Sequence, residues 1–555
     1  MKQIDIIRTY AQKRCLIVDD VPDVRAQLKR IMVDFGTDAT DTAGNAEEAI
    51  DLCEKNNYDI VISDYNLGKG KSGQQLLEEL RYHRLLRNTS IFIMITAENA
   101  SHYVLHALEH EPDDFLQKPV NRESLRPRLD SALLKNEYLF KVKEAIDQGK
   151  LDRAITIAEK IAAKPHKFQV DSKKILAELY LKNKQADEAA TVYASIDANR
   201  PPLWLELGLA RIDYIQHDYD NAERKLNQII ASNPHYVEAQ DLLAKVLEKT
   251  HRTESSQQAL INAVKISPRS AVRQRELGRV SLDIEDETTS VHAFRSAIKH
   301  SKNSCYEIPD DHLNLAEGLV KLSKKVNPTE AKAHLREAQE SLTHTEKRSN
   351  THPVVMMRNR LLEAELAESL GQSEQANQAV TDALELHKNM RYSVISNTSF
   401  QLCIDCAKGF MDRGYYDEGE AILQELARIN ENNEYALKID QLLRVPQTKE
   451  GIEYAAKLNK EGIHFYEREK LDEAIRSFKN VLKELPNHTG LNLNLIQALI
   501  SKTKQSTLND QETDTLHLCF KRIGEVSETD HFFKRHQYLK KRYLRLSQAE
   551  TVSDH

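Results

Sequence analysis

At 555 residues the chain is several times the size of a typical domain, so two or more hydrophobic cores are expected. With 40% apolar residues, 29% charged residues and only 17 Gly and 14 Pro, the composition suits helix-rich globular structure and excludes disorder or a fibrous repeat. A net charge of -7 leaves no excess of cation to neutralise phosphates, which weighs against a nucleic-acid-binding output. Six cysteines (Cys15, Cys53, Cys305, Cys403, Cys406 and Cys519) are too sparse for a disulfide framework, so a reducing compartment is expected. Met1 to Arg14 mixes charges among its apolar residues, and no later segment approaches a membrane-spanning run. A cytoplasmic protein without membrane insertion is the expectation.

Over the first 135 residues, short apolar runs alternate with amphipathic stretches. Cys15–Val18, Tyr58–Ser63, Ile91–Thr96 and Phe115–Gln117 read as strands; residues 24–35, 73–86, 102–110 and a stretch from Arg122 read as helices. The alternation predicts an α/β fold, a doubly wound parallel sheet, in which ligands bind beyond the carboxyl ends of the strands. Polar residues stand at those ends: Asp19 and Asp20 after the first run, then Asp64, Thr96 and Lys118 after later ones. Three carboxylates in one crevice repel one another unless a divalent cation such as Mg²⁺ shares their charge. Asp64 is then a carboxylate nucleophile toward phosphorus. Lys118 and the Thr96 hydroxyl can neutralise the transferring phosphoryl oxygens, with the small Ala97 leaving room.

These residues in this order resemble the response-regulator receiver family over roughly residues 12 to 134, which implies that the doubly wound parallel sheet is five-stranded. The resemblance implies that Asp64 is the phosphoacceptor and that Mg²⁺ is held by Asp20 directly, by Asp19 through water, and by Asp64 and the backbone carbonyl of Asn66. It makes Thr96 and Phe115 the switch pair, and Asn66 and Glu98 the residues that tune the lifetime of the acyl phosphate. It also implies a sensor histidine kinase or phosphotransfer protein as partner, and no enzymatic output beyond slow self-dephosphorylation. Two departures stand out: the loop from Asp64 to Gly73 is one residue longer than usual and lacks the common proline, and the switch aromatic Phe115 is not a tyrosine. The alternatives are a pseudo-receiver that is never phosphorylated and a plain nucleotide-binding sheet; against the second, Val21-Pro22-Asp23 replaces a Gly-rich turn.

From about Tyr138 the strand signal disappears, and helices of about a dozen residues alternate with short polar breaks. Ala210, Ala244 and Gly278 are spaced by 34, as are Leu226, Leu260 and Phe294, and Ile230, Val264 and Ile298; Pro234 and Pro268 share the interval. A second small residue follows the first by twelve, as in Ala244 to Ser256, Gly278 to Ser290, Ala364 to Ala376 and Gly462 to Ala474, so paired helices are expected to pack closely there. This pattern is similar to the tetratricopeptide repeat family, best in Gly462 through Ala474 to Phe478, Val481 and Pro486. The expected division is a receiver over 1–135, an all-α superhelical repeat array over 136–445, and further repeats with a capping helix over 446–550. Repeat register between 301 and 353 stays open, and the last receiver helix has no linker separating it from the array. The combination is similar, on architecture alone, to the VieB kind of regulator. Such solenoids hold an extended peptide or a partner helix, so an unidentified protein partner is expected.

Weaker signals have plainer explanations. Cys403-x-x-Cys406 lies in a predicted helix without a second pair of ligands. His102, His106 and His110 fit a surface helix face, and the basic tail from Phe532 to Arg545 fits an amphipathic capping helix better than a nucleic-acid contact. The leading expectation is a two-component response regulator in which phosphorylation of Asp64 controls protein binding through the array. The alternative is a modulator or phosphate sink that regulates phosphotransfer between its histidine kinase and a sister response regulator.

Overall fold

Parallel strands buried on both faces place alternate side chains in two cores, which is how the first 135 residues build their fold. The computed structural model describes residues 10–68, 70–96, 112–196, 201–349, 352–390, 399–429, 435–443, 448–484, 488–503, 508–524 and 533–550. Strands β1 (Arg14–Val18), β2 (Ala39–Ala43), β3 (Ile60–Asp64), β4 (Ile91–Thr96) and β5 (Asp114–Gln117) pair in parallel in the order β2-β1-β3-β4-β5. The accompanying helices are α1 (Pro22–Phe35), α2 (Ala46–Lys55), α3 (Gly73–Tyr82) and α4 (Arg122–Asp147). Ile17, Ile62, Ile93 and Ile95 pack on one face with Leu28 and Met32 of α1 and Leu125 and Leu129 of α4. Leu16, Val18, Val61 and Met94 pack on the other with Ala49 of α2 and Leu76 and Leu80 of α3. The helix expected over 102–110, with His102, His106 and His110, lies outside the described residues.

No apolar run announced the position of β2. It is an edge strand with the sequence Ala-Thr-Asp-Thr-Ala, and polar contacts reinforce its ladder. The Asp41 carboxylate accepts from the Arg14 guanidinium at 2.8 Å and from the Tyr58 hydroxyl at 2.7 Å.

Helix α4 runs for 26 residues and serves two cores. Asn121 caps it in a reciprocal box with Ser124. Leu125, Leu129 and Leu133 lie on the sheet, while Val142 and Ala145 join Ala154, Ile155 and Leu176 in the first core of the repeats. The Asp147 carboxylate accepts from the backbone and side chain of both Asn88 and Thr89 at 2.7 to 3.2 Å, and the buried Asn136 amide donates to the Thr89 carbonyl at 2.5 Å. The last helix of the sheet domain is therefore also the first helix of the array.

Paired helices follow, and the 34-residue period has a visible cause. Ala210, Ala244 and Gly278 lie in helices Leu203–Ile215, Val237–Lys249 and Ala271–Asp283, each packed against the helix after it. The hydroxyls of Ser256 and Ser290 donate to the carbonyls of Ala244 and Gly278, at 3.0 and 2.9 Å, which accounts for the twelve-residue gap. A Cβ on Gly278 would stand 2.8 Å from the Phe294 ring. The turn inside each pair repeats as well: His217, His251 and Glu285 adopt φ near +60°, again 34 residues apart. The N–H of the following residue then donates to a carbonyl five residues back, as from Arg252 to Leu247 at 2.9 Å.

Between 301 and 353, where spacing leaves the register open, residues 302–308 lead into helix Pro309–Ser323, followed by the 22-residue helix Pro328–Ser349. The chain divides into two compact units, Met1–Ser341 and Leu342–His555. In the second, Cys403 and Cys406 are fully buried in helix Phe400–Met411, and the Cys406 thiol donates to the Val354 carbonyl. The tail forms helix Phe533–Glu550, whose Leu539 packs with Leu516 and Cys519; Phe532 lies outside the described residues, as does Pro486. Among the described residues no helix is long and apolar enough to cross a membrane.

Two substitutions test the repeat geometry. Gly278→Ala forces a methyl group into the Phe294 ring and is expected to destabilise the array by about 1 to 3 kcal/mol. Glu285→Gly relieves a left-handed turn and is expected to stabilise it by about 1 kcal/mol. Calorimetric unfolding of the full chain should shift in opposite directions for the two variants.

Candidate functional site

Strands β1 and β3 pair side by side with Val18 opposite Ser63, so Asp19, Asp20 and Asp64 leave the sheet at one edge. One carboxylate oxygen from each lies within 4.8 Å of the others. Asp19 and Asp64 are buried and Asp20 is exposed. The Asp19 side chain is fixed by the Val21 N–H at 2.9 Å, and its carbonyl accepts from the Arg25 guanidinium at 2.6 Å.

Lys118, just beyond β5, brings its ammonium to 2.8 Å from Asp64 Oδ2 and 3.2 Å from Asp19 Oδ2. Burial pushes the Asp64 carboxyl above the ordinary carboxylate value; the bond and charge of Lys118 pull against this, and the charge of Asp19 adds to the rise. For Lys118, burial alone would lower the ammonium's pKa, but the hydrogen bonds and charges of Asp64 and Asp19 prevail and raise it. One cation thus serves two buried carboxylates while Asp20 stands beside them.

The backbone shapes the crevice. Thr96 is buried at the end of β4, and its carbonyl accepts the Lys118 N–H at 2.8 Å. The Tyr65 N–H donates to the Ile95 carbonyl, and the Gly73 N–H folds back onto the Tyr65 carbonyl, each at 2.8 Å. Any side chain on Gly73 would collide with the Asp64 carbonyl oxygen, so the long loop closes only through glycine. Gly68, at φ +76°, passes over Asp20: a Cβ there would lie 3.1 Å from Asp20 Oδ2. The Asn66 side chain accepts the Gly68 N–H at 3.2 Å, turned into its own loop. Phe115 is half-buried against the core that contains Met94 and Leu77. Glu98 lies outside the described residues, as does Ala97. Arg25, which holds the Asp19 carbonyl, carries no signal in the sequence, and Gly73 is marked there only as the end of the long loop, not as the residue that lets it close.

The donor set suits a hard divalent cation: it is all oxygen, carries three negative charges against one ammonium, and has one carboxylate facing solvent. Residues 15–130 match the response regulator receiver domain family, and residues 141–203 match the tetratricopeptide repeat family. The chain carries a receiver domain followed by tetratricopeptide repeats. Its receiver domain is similar to chemotaxis protein CheY-3 of Vibrio cholerae, at 29% identity over 117 residues, or 21% of this chain and 88% of that one. It is 31% identical over 123 residues to response regulator protein PilR of Pseudomonas aeruginosa, covering 22% of this chain and 26% of that one. Among solved structures, a CheY-like receiver domain from Methylobacillus flagellatus is 27% identical, with a TM-score of 0.19, covering 22% of this chain and 98% of that one.

If the receiver crevice holds Mg²⁺, saturating ion raises the melting temperature of the full chain, since a ligand at 100 times its Kd adds about 2.7 kcal/mol. The shift is expected to vanish in Asp20→Ala, whose exposed side chain contributes little to folding. Because the Asp64 carboxyl titrates above its ordinary value, acidification protonates it early, and the Mg²⁺ effect should begin to fade above the usual carboxylate range. Thermal melts across pH, with and without the ion, check both.

Proposed function

We propose that the protein is a two-component response regulator whose Asp64 accepts a phosphoryl group and whose repeat array grips a protein partner according to the state of Asp64. The supporting observation is the Lys118 ammonium held between Asp64 and Asp19, with Asp20 beside them. In the transfer, an Asp64 carboxylate oxygen forms the new bond to phosphorus while the bond to the donor's phosphohistidine nitrogen breaks, and the imidazole leaves. Lys118 keeps Asp64 aimed and balances charge on the phosphoryl oxygens; the Thr96 hydroxyl donates to another of them. Asp19, Asp20, Asp64 and the Asn66 carbonyl would hold Mg²⁺, which supplies further neutralisation of the phosphoryl charge.

In this reading the donor is a sensor histidine kinase or a phosphotransfer protein, and Thr96 and Phe115 carry the change of state outward. Phe115 lacks a hydroxyl, so its rotation is read by packing alone. The receiver occupies about 1–135, and the output is the binding surface of the helices beyond it.

Incubation of the full chain with acetyl phosphate and Mg²⁺ is expected to add one acid-labile phosphoryl group by intact-mass spectrometry. Asp64→Ala should abolish the adduct, and Lys118→Ala should slow its formation on the order of 10²-fold. An adduct that survives Asp64→Ala would overturn the assignment.

A further inference from the structure

A cavity of about 460 Å³ lies between the loop that follows Asp64 and the repeats, within the size range of small-molecule sites. Asn66, Gly68 and Gly70 line one side of it; Ser267, Arg269, Lys299 and His300 line the other. Contacts between α3 and the array hold the two sides together. The buried Glu79 carboxylate accepts the Cys305 N–H at 2.5 Å and pairs with Lys71 at 3.6 Å, and the Gln75 amide reaches the His300 carbonyl at 3.5 Å.

The lining carries more positive than negative charge, with Arg269 and Lys299 against Glu78. Among the described residues neither Arg269 nor Lys299 has a carboxylate within ion-pair distance, and both are exposed. Burial and then the nearby charges of Lys299 and Arg269 push the His300 imidazole below its ordinary value. Glu78 also lines the cavity and brings one negative charge against these cations; its carboxylate accepts from the neutral Gln74 amide at 3.1 Å. The thirteen-residue helix Ala271–Asp283 begins at the same wall, with Ala271 and Val272 in the lining. The Arg273 N–H already donates to the Ser270 hydroxyl at 3.3 Å, while the N–H groups of Ala271 and Val272, which have no intrahelical partner, favour anions. Ser267, 1% exposed, stands behind this wall with its hydroxyl buried and without a hydrogen-bond partner.

We propose that this cavity binds a phosphate-bearing small molecule of nucleotide size, gripped by Arg269, Lys299 and the first turn of helix Ala271–Asp283, at a site separate from Asp64. Arg269, Lys299 and a helix start outweigh the single carboxylate of Glu78, and a phosphate can engage a guanidinium, an ammonium and backbone N–H groups at once. A ligand seated there touches the loop that follows Asp64 on one side and the repeats on the other.

The test is calorimetric titration of the full chain with ATP and, separately, with inorganic phosphate, in the absence of Mg²⁺. Saturable binding of either is expected, unchanged in Asp64→Ala and weakened at least tenfold in the Arg269→Ala/Lys299→Ala double variant, with Arg269→Lys/Lys299→Arg retaining it. Binding of ATP alone assigns the site to a nucleotide-like ligand; binding of both assigns it to the phosphate group. No binding of either probe, binding that survives the double alanine variant, or binding lost in Asp64→Ala would each overturn the proposal. Unchanged circular dichroism of the double variant excludes misfolding as the cause of a loss.

Discussion

One continuous helix sets the terms for the first compact unit. The N-terminal half of α4 buries leucines on the sheet, and its C-terminal half buries Val142 and Ala145 among the repeats. A rod of 26 residues spans about 39 Å at 1.5 Å per residue, so both cores must be satisfied along a single axis. The Asp147 carboxylate and the Asn136 amide then tie the far half of the rod to residues 88 and 89, beside the start of β4. The sheet and the first repeat are thereby cut from one piece of backbone, with no flexible stretch between them.

At the other end of the sheet the governing quantity is charge. Two buried carboxylates and one exposed one face a single ammonium, an imbalance that a divalent cation would offset. Folding places Asp19 and Asp64 through adjacent parallel strands, so the crowding comes directly from the register of β1 on β3. Lys118 reaches both because β5 ends beside β4, its backbone bonded to Thr96.

Much of this was legible because the relevant signals are local. Four apolar runs ended in polar residues, and those ends became the crevice. β2 escaped because an edge strand lined by Asp41 and two threonines shows no apolar run. The repeat period was readable wherever small residues mark helix contacts, as at Gly278 against Phe294. It faded between 301 and 353, where a longer connection and a 22-residue helix break the count. The left-handed turns at His217, His251 and Glu285 were invisible, since none of them is a glycine and backbone angles leave no mark on such residues. The Asn66 side chain, tied to the Gly68 N–H, is likewise a matter of loop geometry that spacing could not reveal.

Those non-glycine turns have a consequence for how the array ages and adapts. Each stores a similar, small quantity of conformational tension in its own module, and in a solenoid, modules contribute nearly additively. Thermal tolerance can therefore be adjusted one rung at a time by exchanging a single residue at the bend, without altering the faces on which a partner would lie.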